Sequence, residues 1–221
     1  MSTFPGSPRL LKGAIVGIDL FNPLASIIPF QYNPDKLTRN VTASAVHGMR
    51  NQDEVLRLSG PPRETIDVDI ELDASDDLEK GGTLASTLGV HPSLAALEML
   101  LYPKSGLVIA NEVLAQLGVI EVIPAAAPLT FFIWGLKRVL PIRLTELRIT
   151  EDAFDPDLNP IRASVHLSMH VLTYQDLGLL SPGGAAFLAH QLIKEGMATL
   201  NGLNAISAAG SVSVGASFSL G

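Results

Sequence analysis

The chain of 221 residues contains no cysteine and few charged residues. The absence of cysteine excludes disulfides, catalysis by a thiolate, and metal or iron–sulfur sites held by cysteine. Charged residues make up 17% of the chain, with 15 Lys and Arg against 22 Asp and Glu, so the formal net charge is −7. This acidic balance provides no overall electrostatic attraction for nucleic acid or anionic lipid, and the sequence predicts neither as a partner.

The sequence also lacks a long hydrophobic run, although 47% of its residues are hydrophobic. No apolar stretch reaches the roughly 18 residues that a membrane-spanning helix needs, and residues 119–129 are interrupted by Glu121, Pro124 and Pro128. Residues 1–8 do not combine a cationic flank with an apolar segment, so no signal peptide is predicted. We therefore expect a chain that is made in the cytoplasm, is not inserted in a membrane, and hides apolar surface by forming oligomers.

Short alternating segments predict that much of the chain is β-structure. Apolar residues from Ile66 to Leu72 alternate with three acidic residues, and residues 163–171 alternate between apolar and polar in the same way. Residues 142–149 contain two alternating pairs that are offset by one residue, which predicts a β-bulge near positions 145–146. These patterns indicate strands with one buried face and one polar face.

The middle of the chain predicts helices between two groups of strands. Residues 74–82 are charged and end in glycine, which predicts a loop, and helices are predicted over residues 91–101 and 107–117. The order strands, helices, strands indicates a mostly β, α+β fold, built as a barrel or a sandwich with one or two helices. This domain is predicted to span residues 1–175.

The last part of the chain, residues 176–221, is predicted to be an extension made of a helix and a strand. A breaker is predicted at residues 180–184, followed by a helix over residues 185–203 with one apolar stripe. Residues 211–220 alternate strictly between apolar and small polar residues, which predicts a strand that pairs with a partner's sheet. The predicted interface residues of this strand are Val212, Val214, Phe218 and Leu220.

Three acidic side chains on one predicted strand are the only candidates for hydrolytic chemistry. Asp67, Asp69 and Glu71 share a face, and carboxylates two residues apart on a strand lie roughly 6.5–7 Å from each other, within the range of inverting glycosidases. No aromatic platform for a sugar lies nearby in the sequence. The main interpretation is therefore a solvated strand, and the alternative is a cell-wall hydrolase or glycan-binding module.

Two apparent metal motifs fail on geometry, so no metal or other cofactor is predicted. His166 and His170 are four residues apart, which on a strand separates them by roughly 13 Å. Asp155, Asp157 and Asn159 imitate the start of a calcium loop, but proline occupies the position that requires glycine and histidine the position that requires glutamate. Solvent-facing strand histidines and a hairpin turn are the simpler interpretations.

Three segments resemble the tube-type proteins of extracellular contractile injection systems, which are phage-tail-like particles. Residues 28–37 (IPFQYNPDKL) are similar to the family's opening strand and its aromatic-Asn-Pro turn. Residues 128–135 (PLTFFIWG) are similar to its Pro-x-x-x-Phe-x-Trp-Gly strand, and residues 154–167 (FDPDLNPIRASVHL) to its turn followed by Pro-x-Arg-Ala. Asn159 stands where the family has glycine, and asparagine also tolerates positive φ. The matched positions are Phe30, Asn33, Pro34, Trp134, Gly135 and Arg162.

The resemblance covers roughly residues 10–175 and implies a tube-like domain that assembles as a six-fold ring without enzymatic activity. The relatives join the central spike to the tube at the baseplate, so the implied partners are the tube protein, the spike protein and other baseplate components. Many relatives end in a LysM module, which residues 176–221 do not resemble. The resemblance thus predicts a tube initiator or spike–tube adaptor.

Overall fold

The structure, a computed structural model, describes residues 12–18, 27–44, 58–79, 81, 83–117 and 127–214. The strands are β1 (Ala14–Ile18), β2 (Ile27–Pro29), β3 (Leu37–Thr42), β4 (Arg63–Asp73), β5 (Leu129–Ile133), β6 (Val139–Phe154) and β7 (Pro160–Val171). The helices are α1 (Ser75–Glu79), α2 (Thr83–Leu88), α3 (His91–Glu98), α4 (Ser105–Gln116), α5 (Tyr174–Leu177) and α6 (Pro182–Val214).

The strands form one antiparallel, seven-stranded sheet in the order β2-β1-β5-β6-β7-β4-β3. The predicted mostly β, α+β class is confirmed. The sheet is open, however, so the barrel alternative is wrong and a layered arrangement holds. One reason that the sheet does not close is the short edge strand β2. It has only three residues available for pairing with a further strand, and one of them, Pro29, has no N–H to donate.

The alternation in β4 and β7 places one side of each strand in the core, as predicted. Ile66, Val68 and Ile70 are buried on β4, and they lie beside Met169, Leu167 and Val165 of β7, which are also buried. The register between β6 and β7 shifts between Leu144 and Glu146, which confirms the predicted bulge. The extra residue returns Leu147 and Ile149 to the apolar side, where both pack against the core.

The helical middle of the chain is more extensive than its sequence predicts. The predicted helices correspond to α3 and α4, but the loop predicted at residues 74–82 is wrong, because α1 occupies Ser75–Glu79. The carboxylate of Asp73 accepts a hydrogen bond from the Ser75 backbone N–H at the start of α1 (2.8 Å), and Leu78 packs against the core. A capped start and an apolar contact thus stabilise one short helix in a charged segment.

The C-terminal helix α6 contains the predicted helix but begins earlier and ends later. Ser181 Oγ accepts a hydrogen bond from the Gly184 N–H (2.9 Å), so that Ser181 caps the helix and Pro182 takes the first helical position. The strand predicted from residue 211 is wrong for residues 211–214, which are helical because the ladder of the long preceding helix continues through them.

This correction changes the predicted interface of the C-terminal segment. Val212 and Val214 belong to α6 rather than to a strand, so the predicted strand pairing does not hold for these two residues. Phe218 and Leu220 lie outside the described residues. The division of the chain at residues 175 and 176 stays a prediction.

Candidate assembly site

The acidic residues of β4 lie on the side of the sheet opposite the core, and β7 binds two of them. Asp67 accepts a hydrogen bond from Ser168 Oγ (2.6 Å), and Asp69 pairs with His166 Nδ1 (2.6 Å). Glu71 lies across from Ser164 in the same ladder and is exposed. The row of carboxylates therefore belongs to a cross-strand polar network on an open surface.

The two strand histidines have different neighbours and do not meet. His166 binds Asp69, whereas His170 lies in register with Thr65 on one side and Arg143 on the other. Within the part of the chain that the structure describes, no group of three or more His, Asp or Glu side chains is arranged to hold a metal ion. The interpretation of these histidines as members of a polar strand face agrees with this geometry.

The turn between β6 and β7 uses its own acidic side chain to hold its shape. Asp155 Oδ1 accepts hydrogen bonds from the N–H groups of Asp157 and Asn159, and Oδ2 accepts one from the Asn159 side chain (all 2.8 Å). These bonds, led by that of the Asn159 side chain, lower the pKa of Asp155. The positive φ expected at Asn159 falls instead on Leu158 (64°). Asp155 is thus an anchor of the turn.

An aromatic cluster joins two of the three segments that carry the family resemblance. Phe30 lies after β2, Phe132 is in β5, and Trp134 follows β5. The ring of Trp134 stacks on Phe132 (centroids 5.8 Å apart) and meets Phe30 edge-on (6.4 Å). Gly13 leaves room for this cluster, since a Cβ there would lie 2.6 Å from the Phe30 ring. Trp134 is half-buried at the margin of the core rather than fully enclosed.

A polar connection joins the first resemblance segment to the third. The Gln31 side chain accepts a hydrogen bond from the Asp73 N–H (2.7 Å) and donates one to the Asp73 carbonyl. The carboxylate of Asp73 in turn binds Arg162 through Nε (3.0 Å) and Nη2 (2.7 Å). Burial opposes the ionisation of Asp73, but the hydrogen bonds from Ser75 and Arg162 outweigh it and lower the pKa of Asp73. Asp73 is one of the residues that sequence reasoning missed.

The other matched positions shape the turns around these contacts. Asn33 Oδ1 accepts a hydrogen bond from the Gly13 N–H (3.0 Å), and Pro34 follows it in the connection between β2 and β3. Gly135 adopts a φ of 69°, and Trp134 N–H donates to the Arg138 carbonyl (2.8 Å), which closes the turn between β5 and β6. Each matched position other than Pro34 therefore has a structural contact or a turn that accounts for it.

A second polar group, which the sequence analysis did not single out, fixes α6 to the sheet. We call Glu64, Arg39, Lys194, His190 and Arg138 the Glu64 cluster. Glu64 is only 3% exposed, and its Oε1 accepts hydrogen bonds from Arg39 Nε and Nη2 at 2.6 Å each. Lys194 Nζ of α6 lies 3.4 Å from Oε2. The sequence did contain an indication of this burial. Glu64 is separated from Ile66 and Val68 by an even number of positions on β4, so the three side chains share the buried face of the strand.

Burial, and then the excess of positive charge in the Glu64 cluster, disfavour the protonated form of its histidine. His190 is 5% exposed, and its Nδ1 lies 3.2 Å from the Lys137 carbonyl, while Nε2 has no partner among the described residues. Burial and the nearby Lys194 lower the pKa of His190, against the smaller opposing effects of the Lys137 carbonyl and Glu64. Burial and Arg39 also lower the pKa of Arg138. A further proton here would be unfavourable.

Two helices leave apolar side chains exposed. No residue of α4 is buried, and Val108, Ile109 and Val113 point into solvent. In α6 the first turns pack against the sheet, but every residue from Glu195 to Ser207 is exposed. Across the described ranges, no helix is long and apolar enough to cross a membrane. These helix faces are candidate contact surfaces between proteins.

Comparison of the chain with protein-family models finds no match, and comparison with curated proteins finds no significant relative.

Proposed function

We propose that this protein is a structural, non-enzymatic component of a contractile injection system. Its role is that of a baseplate tube initiator or spike–tube adaptor, in which six copies form a ring around the particle axis. The ring templates the inner tube on one side, contacts the spike on the other, and passes the thrust of contraction between them. Its partners are the tube, spike and baseplate proteins of the same particle.

The observation that carries this proposal is that contacts link the first resemblance segment to the second and, through Asp73, to the third. The first segment contacts the second through the ring of Phe30 on Trp134, and the third through Gln31, Asp73 and Arg162. Residues that define a shared fold are expected to contact each other, whereas three chance matches spread over the sequence are under no such constraint. The contacts thus support treating the three segments as one pattern.

The exposed apolar helix faces support an assembly role over that of an isolated protein. The chain is 47% hydrophobic, and α4 and α6 expose several of its apolar side chains. Burial of such surface is favourable by about 25 cal/mol per Å² and is the main source of association in obligate assemblies. A ring with neighbours on several sides provides that burial.

Deletion of the gene from a strain that makes the particles tests the proposal. Without its tube initiator, the strain should make spike and sheath subunits but no assembled inner tube, as seen by electron microscopy of particle fractions. Complementation with the wild-type gene should restore tubes, and so should the control Glu98→Gln on the exposed side of α3. Tubes of normal number and length in the deletion strain would contradict the proposed role.

A further inference from the structure

Helix α6 is held against the sheet by contacts that lie within its first half. Phe187 is 6% exposed and packs into the core. One turn further along the helix, His190 and Lys194 belong to the Glu64 cluster, which joins α6 to the sheet. Residues 195–207 are all exposed. The attachment of this long helix therefore depends on a short segment.

Separation of α6 from the sheet would break no strand pairing. The helix is the last described element of the chain, and the sheet order from β2 to β3 is complete without it. It is joined to α5 by the exposed residues 178–180, in which Gly178 adopts a φ of 79°. An element with few buried apolar contacts opens at a lower free energy than the whole domain unfolds. This connection is therefore suited to act as a hinge.

His190 has one ring nitrogen that is buried without a partner. The Lys137 carbonyl can only accept a hydrogen bond, so Nδ1 of His190, which lies 3.2 Å from it, carries the proton of the neutral ring. Nε2 is then the site for a second proton, and it has no partner among the described residues. A proton at Nε2 creates a buried, charged donor without an acceptor, which costs free energy.

The charged groups around His190 add to this cost. Lys194 lies one turn away on the same helix, Arg138 lies in the turn between β5 and β6, and Glu64 of β4 supplies a carboxylate. Arg39 of β3 already binds that carboxylate at 2.6 Å. Three cations thus surround one carboxylate, and burial together with Lys194 lowers the pKa of His190.

We propose that mild acid releases the start of α6 from the sheet, with protonation of His190 Nε2 as the trigger and residues 178–181 as the hinge. In the released state His190 lies in water, where it takes up a proton near about pH 6.5. Below that pH the released state binds more protons than the attached state, so its population increases as the pH falls. One histidine increases it by at most about tenfold per pH unit, and the increase ends below the lowered pKa.

Hydrogen–deuterium exchange of the purified full chain measures this release. A helix without tertiary contacts is only marginally stable, so the amides of residues 186–194 exchange from the released state. After correction for the intrinsic exchange rate, their opening constant should rise by at least about threefold between about pH 7.5 and pH 5.5. The amides of β7 report global unfolding. Dilute urea should accelerate exchange in β7 but barely change it in α6, because release of the helix exposes little surface.

Four variants assign the pH dependence to His190. His190→Asn and His190→Gln each offer an amide donor to the Lys137 carbonyl but do not titrate, so the acid-induced rise in α6 opening should disappear in both. Lys194→Gln removes a neighbouring cation and should make the rise smaller. His91→Gln changes an exposed histidine of α3 and should leave the rise unchanged.

Two results would overturn the proposal. One is an opening constant of α6 that does not change with pH, or that rises equally in wild type and both His190 variants. The other is an equal free energy of opening for α6 and β7 with the same urea dependence, since the helix would then leave the sheet only when the domain unfolds. The release depends on the single chain alone, so its failure leaves the deletion phenotype of the proposed function unaffected.

Discussion

Strand β7 and helix α6 are both rich in apolar residues, but they place them differently. Every second residue of β7 from Ala163 to Val171 is buried in the core. In α6, burial ends in the first half of the helix, and the apolar side chains from Met197 to Ile206 are exposed. The difference indicates that the hydrophobic residues of the sheet stabilise the fold, whereas those of the outer helix are available for contact with another molecule.

The largest difference in the free energy of unfolding should appear between variants that truncate a leucine in β7 and a leucine in α6. Leu167→Ala removes a fully buried side chain from β7 and should lower the free energy of unfolding by about 2–5 kcal/mol. Leu203→Ala in α6 should change it by less than about 0.5 kcal/mol. Urea denaturation of both variants, at a concentration where the chain is monomeric, measures the difference. Similar losses in the two variants would show that the outer helix is part of the core.

A substitution in the Glu64 cluster, which connects the two regions, should have the next largest effect on the free energy of unfolding. Glu64→Gln removes the buried negative charge and leaves Arg39, Arg138 and Lys194 facing each other. We expect a loss of about 2–4 kcal/mol in the free energy of unfolding, toward the lower end for a buried pair because Arg39 and Lys194 are partly exposed. The control is Glu98→Gln, an exposed glutamate of α3. If urea midpoints of the two variants coincide, the Glu64 cluster does not hold α6.

The pH dependence of stability should report the neutral histidine in that cluster. The pKa of His190 lies below 6.5, its ordinary value, so that below about pH 6.5 the unfolded chain binds a proton that the folded protein does not. The free energy of unfolding should therefore decrease as the pH falls from about 6.5 toward the lowered pKa.

Thermal unfolding of wild type and His190→Gln between about pH 8 and pH 5 measures this effect. The variant should lose part of the acid-side decrease, whereas His91→Gln, which changes an exposed histidine, should keep it. An unchanged slope in His190→Gln would show that the histidine is not held neutral by its surroundings.

Substitutions on the acidic side of the sheet should have the smallest effect on stability. Asp67→Asn with Asp69→Asn weakens two hydrogen bonds on an open surface, where each pair contributes about 0–1 kcal/mol. We expect a folded protein that still assembles. A cell-wall degradation assay with the purified wild type and the double variant examines the hydrolase alternative, and cleavage that disappears in the variant would favour it.

The features of the fold that could be predicted from the sequence are those that depend on a local pattern of residues. The strand alternation and the bulge between Leu144 and Glu146 follow from period-two spacing, which the sheet preserves. The helix α1 was not predicted, because its charged segment has no apolar stripe and depends on Asp73 and Leu78. Residues 211–214 alternate like a strand, yet the preceding helix continues through them.

The candidate site was only partly predictable for a related reason. Phe30, Trp134 and Arg162 were identified as motif positions, but their contacts through Phe132 and Asp73 come from residues far apart in the chain. The need for a partner at Glu64 could have been predicted, because a charged residue at a core position of a strand requires one. The identity of those partners depends on α6 packing beside β6, which no local pattern encodes.

The most direct test of the central claim is electron cryo-microscopy of the intact particle, with the wild-type chain identified in the map by its sequence. We expect six copies in one ring around the axis, between the spike and the first layer of the tube. Absence of the protein from the particle, or a single copy away from the axis, would contradict it.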